Sequence, residues 1–193
     1  AWVLSRVTVE MTGYPRVNEN YTIRTWVEGY NRYFSQRNFE IVDAEGKTLG
    51  YARTIWLVID SEKREMVDIS NLGYVISNIY EKECPIEPQS RLRPVSEGRK
   101  EQHKFQYTDT DINCHVNSVR YVESLLNQWD LEHYEEYRVK RFEIAYIKEC
   151  LGGKQYDIIV NEETPQDAKL EINNLVDGKL EANCRARIVF ENR

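Results

Sequence analysis

The chain has 193 residues, 41% of them hydrophobic, enough to bury a sizeable core in one or two domains. Its 26 basic and 32 acidic residues leave a net charge of -6, which argues against a nucleic-acid binder, because such a protein needs a basic face to displace counterions from phosphates. The longest apolar run, Ile55 to Ile59 within TIWLVID, is far short of the roughly 20 residues of a transmembrane helix, so a soluble globular protein with no membrane span is expected.

The opening AWVLSRV lacks the basic-then-apolar order of a signal peptide. Residues 6 to 27, RVTVEMTGYPRVNENYTIRTWV, alternate apolar and polar side chains at Val7, Val9 and Met11 and again at Tyr21 and Ile23, which predicts strand, turn, strand. FEIVDAEGKTLGYARTIWLVI follows as a second strand pair around a Gly-Lys turn. Residues 68 to 100 change composition. With CPIEP and RLRPVSEGRK they read as a connector, carrying a short helical turn around Leu72 to Tyr80.

Beyond the connector, DTDINCHVNSVRY sets Asp111, Asn113 and His115 at alternate positions. On an extended segment these three would share one side. Residues 115 to 134 then place Val119, Val122, Leu126 and Trp129 at helical intervals, with Leu125 beside them, predicting a helix with one apolar face. Arg141 to Glu162, RFEIAYIKECLGGKQYDIIVNE, aligns without a gap on Arg6 to Val27 at a constant offset of 135, and LEINNLVDGKLEANCRARIVF repeats the Gly-Lys turn. A tandem duplication is therefore expected, with 1–67 as the first half, 68–100 as the connector and 101–193 as the second half. Only four residues precede Ser5, so the first half's helix has no place in this chain. Either an N-terminal segment is missing or the first sheet borrows a helix, and the former is favoured. Cys84, Cys114, Cys150 and Cys184 form no CxxC pair, and the three histidines lack metal-ligand spacing. Reduced thiols in a cytoplasmic setting, with no metal and no cofactor, are expected.

A strand feeding a helix that lies across an antiparallel sheet, twice over, is the hotdog plan. DTDINCHVNSVRY resembles the D-x-D-x-N-x-H-V-N-N-x-K-Y signature of acyl-ACP thioesterases, the double-hotdog hydrolases of fatty acyl-[acyl carrier protein], in their bacterial type. YIKEC at 146 to 150 resembles that family's Y-R-R-E-C, and the tryptophan-bearing first strand, YP turn and T-W segment resemble its N-terminal half. Ser118, Arg120, Ile147 and Lys148 depart from the pattern. The resemblance implies an α+β tandem hotdog in which antiparallel sheets each wrap a helix, and an enzyme that hydrolyses the acyl-ACP thioester to end chain elongation.

Thioester hydrolysis needs an activated water or nucleophile, an orienting base, and donors aimed at the developing oxyanion. The resemblance and the spacing assign Glu149, on the strand after the helix, as base or direct nucleophile, its basicity raised by burial. His115 shares or relays the proton, Asp111 orients the imidazole or the water, and Asn113 with the helix N-terminus offers donors. Each also has an ordinary reading: Asp111, Asn113 or Asn117 as caps, His115 as a surface residue, Glu149 as a solvated strand residue. Their joint occurrence favours a site. Cys150 is the alternative nucleophile. Neighbouring strand residues face opposite ways, so only one of Glu149 and Cys150 can meet His115, and Glu149 is preferred.

In the first copy Tyr14 and Pro15 occupy the places of Glu149 and Cys150, so one site per two halves is expected. Trp26, Tyr30, Tyr33, Phe34 and Trp56 are candidate walls of an acyl pocket, core packing being the plainer reading of each, and Asn117 is a further substrate-binding candidate. The implied partner is acyl carrier protein with its phosphopantetheine-linked acyl chain. Arg120, Arg138, Lys140, Arg141 and Lys148 are candidates to dock it, with Arg91, Arg93, Arg99 and Lys100 in the connector. An acyl-CoA thioesterase, a non-catalytic acyl-binding hotdog module and a hotdog hydratase are the competing functions. Duplication allows a self-sufficient monomer, a pseudo-dimer of two hotdogs, or a further homodimer.

Overall fold

A computed structural model describes residues 1–73, 77–80 and 82–193. They divide into two compact units, 1–90 with 141–143 and 91–140 with 144–193. Among the described residues, no helix is long and apolar enough to cross a membrane.

The first unit is an antiparallel sheet of β1 (Trp2–Met11), β2 (Tyr21–Tyr30), β3 (Phe34–Asp43) and β4 (Thr48–Val58), in the order β2-β3-β4-β1. The turn from β3 to β4 is set by Gly46, which takes φ 86°, a conformation open to glycine at no steric cost. Asp43 closes it by accepting N–H bonds from Glu45 and Lys47.

The segment after β4 is more than a connector. Ile69, Cys84 and Ile86 are buried in the first unit, the latter two against Trp26. The Trp26 indole donates to the Lys82 carbonyl at 2.6 Å, and the Arg53 guanidinium donates to the carbonyls of Cys84 and Ile86. Having no strand partner there, the buried chain finds carboxylates for its N–H groups. Cys84 N–H donates to Glu28 at 2.9 Å, and Ser90 N–H to the fully buried Glu143 at 2.8 Å. In the second unit Val95 N–H donates to Glu171 at 3.2 Å. The helical turn expected around Leu72 to Tyr80 runs through 74–76, which lie outside the described residues.

The second unit holds β5 (Arg99–Lys104), a 3₁₀ turn at Tyr107–Asp109, α1 (Ser118–Leu126), α2 (Leu131–Glu136), and β6 (Tyr137–Tyr146), β7 (Gln155–Thr164), β8 (Asp167–Val176) and β9 (Lys179–Asn192), in the order β6-β9-β8-β7-β5. The expected single helix over 115 to 134 is two. Asn127 ends α1, and the Asp130 carboxylate caps α2 by accepting from His133 N–H. The buried face of α1 also differs from the expected one. Tyr121, Ser124 and Leu125 are buried while Val119 is exposed, because the Tyr121 ring is drawn inward against Phe105 and Tyr146.

The duplication is visible in the strands. β1 and β6 keep the offset of 135 at both ends, and β2-β3-β4-β1 is repeated as β7-β8-β9-β6. Burial is not repeated. Tyr21 and Ile23 are 53% and 60% exposed, whereas Tyr156 and Ile158, their counterparts, are 3% and 0% exposed. The second unit covers that ground with Phe105 and with β5, which pairs along the outer edge of β7.

Gly98, at φ 137°, turns the chain into β5, and a Cβ there would overlap the Val160 carbonyl. Gly98→Ala is expected to lower the unfolding free energy by at least about 1 kcal/mol, measured by denaturant unfolding, with an unchanged midpoint as the contrary result.

Candidate active site

The stretch carrying Asp111, Asn113 and His115 is a turn rather than a strand. Cys114 sits at φ 61°, which breaks the extended path, so the three side chains do not line one strand face. Asp111 organises this turn through its carboxylate, which accepts Asn113 N–H at 2.8 Å and His115 N–H at 3.1 Å, in the manner of an Asx turn. Its own N–H donates to the His115 carbonyl at 2.9 Å. Asn113 is exposed. Asn117 is the helix cap. Its side chain accepts Val119 N–H at 3.0 Å and its carbonyl accepts Arg120 N–H at 2.9 Å, so two of the first N–H groups of α1 are already engaged.

Glu149 lies past the end of β6, in the segment 147–151, not on the strand itself. That segment is tied from several directions. Ile147 and Lys148 N–H both donate to the Asn183 carbonyl, and the Asn183 side-chain amide donates to the Glu149 carbonyl. Cys150 N–H donates to the Tyr121 hydroxyl at 2.6 Å, and Leu151 N–H to the Tyr156 hydroxyl at 2.7 Å. Val116 N–H donates to the Cys150 carbonyl at 2.9 Å, and His115 bridges Leu151. The sequence assigns no role to Tyr121, Tyr156 or Asn183. Its one signal for any of them is that Tyr121 closes DTDINCHVNSVRY.

These ties bring two regions some thirty positions apart together. His115 Nδ1 lies 3.3 Å from Glu149 Oε1, with the two side chains 29% and 44% exposed. The burial expected to sharpen Glu149 is therefore absent, because its segment has left the sheet, and the carboxylate is open to water instead. Cys150 points the other way and is fully buried. Burial pushes its thiol up to about 11. A neutral thiol without solvent access is a poor nucleophile. Burial likewise pushes the Tyr121 phenol up, and that of Tyr156 up to about 12. Among the described residues, no group of three or more His, Cys, Asp or Glu is placed to hold a metal.

Of the candidate pocket walls, Trp26 and Trp56 line a cavity of about 750 Å³ in the first unit, together with Trp2, Tyr80, Arg37 and Lys82. Tyr30, Tyr33 and Phe34 are not among its lining residues. The basic candidates are engaged by acids. Arg120 pairs with Glu123 and Asp109, Arg138 and Lys140 with Glu191, and Lys148 with Glu181. Arg141 is largely buried between Glu10 and Glu143. Lys100 pairs with Asp157, and Arg99 bonds Gln128. Among the described residues, Arg91 and Arg93 are exposed with no ion-pair partner.

Residues 1–73 match the model of the acyl-ACP thioesterase N-terminal domain, and 92–192 that of the C-terminal domain. An acyl-ACP thioesterase structure from Bacteroides thetaiotaomicron superposes with a TM-score of 0.90 at 35% identity, covering 98% of this chain and 76% of that one. The 12:0-ACP thioesterase of Umbellularia californica shares the fold, with a TM-score of 0.83 at 17% identity over 100% of this chain and 76% of its own. Among curated sequences, oleoyl-acyl carrier protein thioesterase 2 of Arabidopsis thaliana is 26% identical over 86% of this chain and 48% of its own length. The chain thus spans about half the length of the curated relatives it matches. Its fold is the α+β tandem hotdog of mostly antiparallel sheet.

Thiol accessibility separates the cysteines. Iodoacetamide applied to the folded chain at neutral pH is expected to label exposed Cys114 and to spare Cys150 and Cys184, both fully buried. Peptide mass spectrometry reads the result, and rapid native labelling of Cys150 would contradict its burial.

Proposed function

The chain belongs to the acyl-ACP thioesterase family, and from that premise we propose that it hydrolyses the thioester between a fatty acyl group and acyl carrier protein. Water adds its oxygen to the acyl carbon, the bond to sulfur breaks, and a free fatty acid and the carrier's thiol leave. The observation that carries this reading is the contact of His115 Nδ1 with Glu149 Oε1 at 3.3 Å on a solvent-open carboxylate. A carboxylate on one ring nitrogen orients the imidazole and leaves Nε2 to exchange protons with the reacting group. Glu149 and His115 then act as one proton-accepting unit for the attacking water.

Asp111 serves this pair through the backbone, by shaping the turn that carries His115. Asn113, exposed in the turn that carries His115, is the amide donor proposed for the oxyanion. Cys150 is a buried neighbour and not the nucleophile. Trp26 and Trp56, which share the cavity of the first unit, are the walls proposed for the acyl chain, where each buried methylene would contribute about 0.8 kcal/mol. A cytoplasmic setting accords with four free thiols.

Arg120, Arg138, Lys140 and Lys148 each face a carboxylate of this chain, which reduces the free positive charge for an acidic carrier. Coenzyme A is itself polyanionic, so the same pairing bears equally on acyl-CoA, the second substrate to test. Docking on acyl carrier protein would have to draw on Arg91 and Arg93 or exchange these internal pairs for intermolecular ones.

Thiol release from matched acyl-ACP and acyl-CoA panels tests both readings. Glu149→Gln and His115→Ala are each expected to lower kcat by about 10²- to 10⁴-fold, and Cys150→Ala by no more than about tenfold. Full activity in Glu149→Gln would overturn the assignment. Raising salt is expected to weaken turnover of acyl-ACP but not of a small acyl thioester, and equal insensitivity of the two would remove docking by charge.

A further inference from the structure

The turn that presents Glu149 is held by groups with no part in the chemistry. The N–H groups of Cys150 and Leu151 have left the β6 ladder, and Cys150 is fully buried, so its N–H needs a protein acceptor. Both acceptors are phenol hydroxyls. Tyr121 reaches Cys150 N from α1 at 2.6 Å, and Tyr156 reaches Leu151 N from β7 at 2.7 Å.

The two rings are themselves fixed. Phe105, 1% exposed, packs against both, with ring centroids 5.5 Å from Tyr121 and 5.6 Å from Tyr156. The Cys150 side chain beside them is fully buried. The same two backbone positions anchor the other partner, since Cys150 accepts from Val116 N–H and Leu151 bridges His115. One clamp therefore locates both side chains of the pair. In the first half Tyr21, the counterpart of Tyr156, is exposed, so the clamp belongs to the second half alone.

We infer that Tyr121 and Tyr156 are positioning residues for the Glu149–His115 pair, holding the turn at 149–151 through its backbone N–H groups. The inference rests on reading that pair as the hydrolytic site. Its consequence is specific: deleting either hydroxyl loosens the placement of the pair while leaving both of its side chains chemically intact.

The test uses Tyr121→Phe and Tyr156→Phe in the full chain, alone and with Glu149→Gln. Tyr146→Phe is the control, because it removes a neighbouring half-buried hydroxyl that donates to the Ser118 carbonyl rather than holding the turn. The clamp variants are expected to lose about 10- to 100-fold in kcat, since misplacement by an ångström costs on that order, with KM within about threefold. In the Glu149→Gln background they are expected to lose nothing further. Wild-type kcat in both clamp variants, or the same loss with and without Glu149, would overturn the inference. Amide hydrogen exchange at Cys150 and Leu151 reads the clamp without turnover. Exchange about tenfold faster in the clamp variants but not in Tyr146→Phe supports it, and unchanged exchange overturns it. A wild-type chain inert on every thioester would defeat the hydrolase reading, and exchange would still decide the clamp. If Tyr121→Phe does not fold, Tyr156→Phe carries the same measurements.

Discussion

Once the chain passes Tyr146 and leaves the sheet, the buried N–H of Cys150 must find an acceptor outside any ladder, and its neighbours in 147 to 151 find theirs there too. An unpaired buried N–H costs on the order of 1–3 kcal/mol, a large share of the stability of a domain. The solution is a set of acceptors from three elements: the Asn183 carbonyl on β9, the Tyr121 hydroxyl on α1 and the Tyr156 hydroxyl on β7. The placement of Glu149 against His115 follows from that accounting. So does the fate of Cys150, which is turned inward by the same bonds that leave Glu149 in solvent.

The same constraint recurs in the segment between the halves. Glu28, Glu143 and Glu171 each accept a backbone N–H, from Cys84, Ser90 and Val95 respectively. Each carboxylate also meets an arginine of its own unit, Arg53, Arg141 or Arg185. A carboxylate as buried as Glu143 or Glu171 is costly unless both demands are met. Arg141 is thereby part of the interior framework and unsuited to an external partner, although its charge reads as surface in the sequence.

Duplication supplies two sheets with one strand order, yet the halves have diverged in what they bury. The second half places an imidazole, a carboxylate and two phenols where its helix and sheet meet, while the first offers aromatic and basic residues around a cavity. Tyr21 and Tyr156 illustrate the split, the one exposed and the other a buried acceptor.

What was legible in the sequence is what local pattern encodes. Period-two alternation announced the strands, Gly-Lys turns paired them, and the order of residues in DTDINCHVNSVRY and YIKEC pointed to the acyl-ACP thioesterase family and, as the pair proposed for its chemistry, to His115 and Glu149. Other features depended on contacts across tens of positions, which no local period records. Tertiary packing rotated α1 onto Tyr121 in place of Val119, because a buried phenol had a backbone N–H to satisfy. It put Glu149 in solvent, since the strand ends three residues earlier. It also spent the basic side chains on internal acids, a pairing that only proximity in space can decide.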